Sequence, residues 1–360
     1  MKQERNEPCQ CGSGLKYKKC CLNKKEEFDM KLSLLFETVE KNKRKARISH
    51  CLHPETENCS GKIVRAHAIQ NNRILNKLAV NGMLKTMDGE SHMMFQDVDT
   101  KGRKQATTFK GFCSFHDKVT FQPIEDFEFN ESTEQLFLYT YRTLAWSYHK
   151  KLEQVNHIIL NMRSLKNKGF HFLNDFMLHN SMHLLGHFEN EATLKRFNGY
   201  LQNENYESVA SYVWTIPYEI RFAVSTMLTI EHDIKGNMIN NIKSFQPLKN
   251  IYLNIFPGDK ESYLIWTWES NHEILEKFVK QFDSLRDVDQ INYLNNNLPR
   301  WTDAIVISPK MWDKWGGSVQ ESLIAHSNFE FLYRAMEEEL DSFAYEYADT
   351  PWNFFNIVTS

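Results

Sequence analysis

The chain has 360 residues, 41% hydrophobic and 25% charged, with 25 Phe, 14 Tyr and 8 Trp. That is room for two or three domains and a sizeable core. No run is apolar enough to span a bilayer, and the opening MKQERNEPC has no apolar stretch after its charges. Membrane and secreted classes are therefore set aside, and a cytoplasmic location is expected.

The net charge of −3 is unevenly spread: residues 1–45 carry 12 Lys/Arg against seven acids, which leaves the rest near −8. A basic end on an acidic body can hold phosphates or another acidic surface; a solvated face around a metal knuckle has the same composition. All seven cysteines lie in the first third, at 9, 11, 20, 21, 51, 59 and 113. In a reducing compartment such confinement points to metal sites rather than disulfides.

Residues 1–23 hold the first cluster, Cys9, Cys11, Cys20 and Cys21, around the tight-turn residues Gly12, Ser13 and Gly14 and a basic arm. Four soft thiolates suit a closed tetrahedral zinc site, which is structural because no coordination position is open. So short a peptide has little core, so the metal would supply its folding energy. The run P-C-x-C-G-S-G-x-K-Y-K-K-C-C resembles the SEC-C motif, the zinc tail of the bacterial preprotein translocase ATPase that recurs on unrelated proteins. The resemblance implies docking to a protein partner or the ribosome; a capping knuckle for the rest of the chain is the bland alternative.

Residues 24–47 are predicted to form a helical linker, with Phe28, Leu32, Leu35, Phe36 and Val39 on one apolar face. Residues 48–125 alternate short strands and turns around a second cluster. Cys51, Cys59, Cys113 and His116 complete a second set of four, with Cys113 and His116 in a C-x-x-H unit. Three thiolates and an imidazole make an ordinary structural zinc site; His50 and His53 beside Cys51 are alternative ligands. Between the halves, the apolar strand Lys62–Gln70 delivers His67, and Asp117 follows the second half.

This arrangement is similar to the treble-clef module of HNH endonucleases, with Ala66 where that family carries an acid and Thr107-Thr108-Phe109 where it carries an Asn. The resemblance implies that His67 activates water and that Asp117 helps bind a catalytic Mg²⁺ or Mn²⁺. Such chemistry is sound in general: a divalent ion stabilises the leaving oxygen of a phosphodiester while an imidazole deprotonates water.

Residues 130–360 are expected to be an α+β domain of open role, helical to about 200. His179, His183 and His187 recur every four residues on one predicted helix face, a spacing that suits either a transition metal or a polar stripe. Further on, SYVWTIPYEIRFAVSTMLTI, a hairpin about Pro257-Gly258 and DAIVISP read as strands, and helical signals return at 272–286 and 319–341. Trp266, Trp268, Trp301, Trp312 and Trp315 fit a core better than base-stacking platforms.

The expected fold is α+β: two small zinc modules, a helical segment and an α+β C-terminal domain. The leading functional expectation is an HNH-like nuclease acting on nucleic acid, of a kind associated with bacterial phage defence. The competing one is a non-catalytic zinc adaptor for nucleic acid, ribosome or a protein. Neither sequence reading assigns an oligomeric state.

Overall fold

The computed structural model describes residues 4–11, 13–91, 95–166, 182–241, 244, 246–335 and 349–356. Its longer helices are α1 (Cys21–Ala46), α2 (Ser114–Glu125), α3 (Thr133–Lys166), α4 (Met182–Gln202), α5 (Glu273–Asp283), α6 (Asp287–Trp301) and α7 (Pro309–Ala335). Its strands are β1 (Ile63–His67), β2 (Met83–Ser91), β3 (Phe95–Gly102), β4 (Thr108–Cys113), β5 (Val209–Ile216), β6 (Phe222–Leu228), β7 (Ile251–Pro257), β8 (Ser262–Glu269) and β9 (Ile305–Ile307). The fold is α+β, as the sequence implies. It divides into two compact units, residues 1–48 with 150–188 and residues 49–149 with 189–360.

In the first unit, α1 buries Leu35, Thr38, Asn42 and Ala46. Their three- and four-residue spacing is one helix face. Phe36 and Val39 are half-buried, as an amphipathic helix requires, while the side chains of Phe28 and Leu32 fall outside the described residues. The stripe includes two polar residues because both have partners: the Thr38 hydroxyl donates to the Leu34 carbonyl at 2.6 Å and Asn42 Nδ2 to Asn161 Oδ1 at 2.8 Å. At the end of α1, the Ile48 N–H donates to the Glu153 carboxylate at 3.0 Å.

The second unit is layered. Seven antiparallel strands run in the order β3-β2-β9-β6-β7-β8-β5. The inner strands β6, β7 and β8 are buried along almost their whole length, which requires cover on both faces. Alternation along β7 sorts the two sides. Ile251, Leu253 and Ile255 join the core formed with Phe278 and Phe282 of α5, Leu294 and Leu298 of α6 and Met311 of α7. Tyr252, Asn254 and Phe256 face the other way: Asn254 Oδ1 accepts from Thr143 of α3 at 3.2 Å, and Tyr139 stacks on Phe256 at 5.0 Å. The Thr140 and Thr267 hydroxyls meet at 2.7 Å in the same interface.

The hairpin β2–β3 lies inside the 48–125 segment yet pairs with β9. That segment and the C-terminal region therefore share one sheet. Helix α6, over an Asn-rich run, and the start of α7 at Pro309 extend the helical content beyond the expected segments. Trp266, Trp268 and Trp312 are buried and Trp301 and Trp315 pack against the same core, so the tryptophans are structural.

Candidate metal centres and the His67 site

The first cluster is assembled by a turn. The Cys9 N–H donates to the Leu15 carbonyl at 2.8 Å and the Tyr17 N–H to the Glu7 carbonyl at 2.8 Å. Gly14 sits at φ 73°, where a side chain would be strained. This folds Cys9 and Cys11 back on Cys20 and Cys21, and all four Sγ atoms lie within 4.8 Å of one another. Cys11 and Cys20 Sγ are 3.4 Å apart, near the edge of about 3.8 Å that a tetrahedron with zinc–sulfur bonds of ~2.3 Å would have. Hydrogen bonds from the Ser13 side chain and backbone hold the Cys11 thiol down at about 6. Leu15, Lys16, Lys18 and Lys19 project from the knuckle into solvent.

The second cluster is carried by a ββα unit. Strand β1 pairs antiparallel with β4, and α2 follows β4 directly. Cys51, Cys59, Cys113 and His116 form one group with ligand atoms within 4.8 Å. His116 Nδ1 faces Cys51 and Cys113 Sγ at 3.4 Å each, and Cys59 Sγ at 3.6 Å, close to the ~3.6 Å expected for S and N ligands on one zinc. Cys113 is the N-cap of α2, its sulfur accepting from the His116 N–H. Burial pushes the Cys113 thiol up, but hydrogen bonds from His116 and Ser60 outweigh it and bring the thiol to about 6. A helix N-terminus favours negative charge on that sulfur. Burial pushes Cys51 up to about 11.

Of the alternative ligands, His50 donates its backbone N–H to the Lys110 carbonyl and belongs to no group that could hold an ion among the described residues. His53 stacks on His116 at 3.9 Å and, with Glu55 and His116, makes the remaining three-residue group that could hold an ion among the described residues. Both Cys-containing groups can hold a metal ion, and their donor sets suit zinc.

His67 ends β1, just past a register shift in which Val64 to Ala66 face the longer run Phe112 to Phe109, a bulge on the partner strand β4. His67 Nε2 lies 3.3 Å from the Arg103 carbonyl. A carbonyl can only accept, so Nε2 carries the proton and Nδ1 keeps its lone pair. Burial lowers the His67 pKa, so the ring is neutral at pH 7. The adjoining turn is strained. Thr107, β-branched, sits at φ 54°, held by its carbonyl accepting from Ala68 at 2.8 Å and its hydroxyl from Ile69 at 3.4 Å. Such outliers cost about 1–3 kcal/mol and gather at functional sites.

Asp117, in the first turn of α2, is mostly withdrawn from solvent, and burial raises its pKa. Asp117, Phe121 and Glu125 share one face of α2. Arg142 of α3 meets that face: its guanidinium lies 4.3 Å over the Phe121 ring and pairs with Glu125 at 2.7 Å. Its charge is felt by both His67 and Asp117. Sequence spacing held no signal for Arg142, Glu125 or the Arg103 carbonyl, because each reaches His67 through tertiary contacts. His67 and Asp117 belong to no three-ligand group among the described residues. His179 and the side chains of His183 and His187 lie outside the described residues.

A ββα unit with a Cys/His group that can hold a metal ion, on a layered α+β scaffold and preceded in sequence by a cysteine knuckle, is what the fold and clusters define. The SEC-C motif family model matches residues 5–23, the segment that forms that knuckle. No curated protein and no solved structure matches the chain. No described helix is long and apolar enough to cross a membrane.

Proposed function

We propose that the chain is a metal-dependent nuclease of HNH type, with His67 as general base and zinc bracing both clusters. The observation that carries this reading is the His67 geometry: a neutral imidazole at a strand end, its Nε2–H tied to the Arg103 carbonyl. Nδ1 makes no hydrogen bond among the described residues, so it can accept a proton from water. That water attacks phosphorus, and one ester P–O bond breaks.

Asp117 would hold a Mg²⁺ or Mn²⁺ ion, which supplies charge stabilisation at the leaving oxygen. Mg²⁺ is commonly held by one or two carboxylates with water and substrate phosphates, so one carboxylate is enough for such an ion. The surroundings favour a polyanion. No acid occurs between Glu57 and Asp88 or between Asp99 and Asp117, and Lys62, Arg65 and Lys110 around the β1–β4 pair and Lys104 in the turn before β4 are exposed. Cations without acids bind a phosphate backbone irrespective of base sequence. The exposed Leu15, Lys16, Lys18 and Lys19 would dock the knuckle on a protein or ribosomal surface in the cytoplasm, a layout suited to bacterial phage defence.

A second reading, a zinc adaptor without catalysis, is favoured by one observation: every cysteine belongs to a closed four-ligand set. Incubation of the full chain with plasmid DNA and with total RNA, with Mg²⁺ or Mn²⁺, separates the two. The nuclease reading expects cleavage that the His67→Ala variant loses at unchanged zinc content. Retention of either nucleic acid without cleavage by zinc-loaded wild type would favour the adaptor.

A further inference from the structure

A sheet of seven strands in open order has two edges, and here they are treated differently. At one edge, β3 carries Asp97, Asp99 and Lys101. The Asp97 carboxylate accepts from the Val98 N–H at 2.7 Å and the Asp99 carboxylate from the Thr100 N–H at 2.8 Å. Alternate N–H groups of an edge strand point away from its neighbour, and here those donors are taken up by side chains of their own strand. Charge and self-capping are how proteins blunt an edge against further pairing.

The opposite edge has neither device. Strand β5, Val-Ala-Ser-Tyr-Val-Trp-Thr-Ile, holds no charged residue and no proline. All eight residues are in register with β8. Beyond that pairing, the backbone of Val209–Ile216 makes two hydrogen bonds among the described residues, both at its ends: the Val209 N–H donates to the Tyr206 carbonyl and the Tyr218 N–H to the Ile216 carbonyl. The strand is nonetheless held firmly. The Tyr212 hydroxyl donates to Asp283 at 2.7 Å, and Trp214 stacks on Phe355 at 6.4 Å. Both anchor the face toward α5, while Ser211 and Thr215 on the other face are exposed. An edge strand already held in place pays little entropy on pairing.

We propose that β5 pairs antiparallel with β5 of a second copy of this chain about a twofold axis, so that two sheets join into one. The chemistry of the strand selects this occupant. An uncharged strand matches itself without like-charge conflict, and a twofold brings identical strands together antiparallel, the arrangement of an isologous dimer. The other edge is closed to the same contact by its own carboxylates, so growth stops at two copies rather than running on as a fibre. In the register that centres the axis on Val213, Ser211 of one copy faces Thr215 of the other.

The test is the mass of the full chain in solution by sedimentation equilibrium, across micromolar concentrations. Wild type is compared with Ser211→Glu/Thr215→Glu and with Ser211→Lys/Thr215→Lys. Both positions are exposed, so neither pair disturbs the core, and thermal melting checks this. The expected result is twice the chain mass for wild type, the single-chain mass for each variant alone, and recovery of the doubled mass when the two variants are mixed. A wild type that stays at single-chain mass overturns the proposal and returns the edge to an extended peptide as its partner. Charged variants that still dimerise, or a mixture that stays monomeric, overturn it as well.

Discussion

Thr107 is strained on behalf of its neighbour. Its left-handed φ of 54° turns the chain so that Ala68 and Ile69 bond back to it and His67 is presented at the strand end. Asn enters this region far more readily than a β-branched residue. Thr107→Asn is therefore expected to stabilise the fold by about 1 kcal/mol, read as a raised midpoint in urea at unchanged slope. A lower midpoint would mean that the hydroxyl's bond outweighs the strain.

His67 itself makes a pH prediction. Its folded pKa lies below the ordinary 6.5 because burial disfavours the imidazolium. The unfolded chain thus binds its proton first as pH falls. The stability tied to the neutral ring is full above pH 6.5 and is lost as pH drops through and below that value. His67→Gln should flatten the acid-side decline of stability between pH 7 and 5 relative to wild type. Equal declines in the two proteins would show that the ring titrates alike folded and unfolded.

At the scale of elements, α2 and α3 meet through a buried charge. The Arg142 side chain is 4% exposed and is offset by Glu125, which is 30% exposed, and by the face of Phe121. Removing one partner of such a pair leaves the other stranded, so Arg142→Met is expected to cost about 3 kcal/mol. Arg142→Met/Glu125→Gln should recover part of that loss, a coupling that a denaturant double-mutant cycle measures.

Legibility in the sequence differed by element for physical reasons. Strands β5 to β9 announced themselves through alternating, β-branched and aromatic residues, and the turn at Pro257-Gly258 was plain from its residues. Helix α6 did not, because its stretch of Asn residues has low helix propensity; it forms where Tyr293, Leu294 and Leu298 reach the core and Asn295 binds the chain near Phe354 and Trp352. The membership of β2 and β3 in the large sheet was hidden for another reason. Strand pairing with β9 spans some 220 residues of sequence, and periodicity carries no information about partners. The two groups that can hold a metal ion were the most legible part, since the cysteines confined to the first third of the chain are the ones the fold draws together.

On the scale of the whole molecule, each of the two units contains one four-residue group that can hold a metal ion. The donor sets predict two zinc ions per chain by elemental analysis. Cys113→Ser should remove one of them and lower the melting temperature through the ββα unit, because Cys113 caps α2 and stands in the four-residue group that can hold a metal ion. Two ions retained in that variant would mean that His53 and Glu55 have taken over the site.

The central claim is that His67 acts as a neutral base on a phosphodiester, and the pH–rate profile of Mn²⁺-dependent nucleic-acid cleavage tests it most directly. A base with a lowered pKa stays active below the ordinary histidine range, so the acid limb should have its midpoint under pH 6.5, with cleavage lost at every pH in His67→Ala. A midpoint at or above 6.5, or a His67→Ala variant that cleaves as fast as wild type, would contradict the claim.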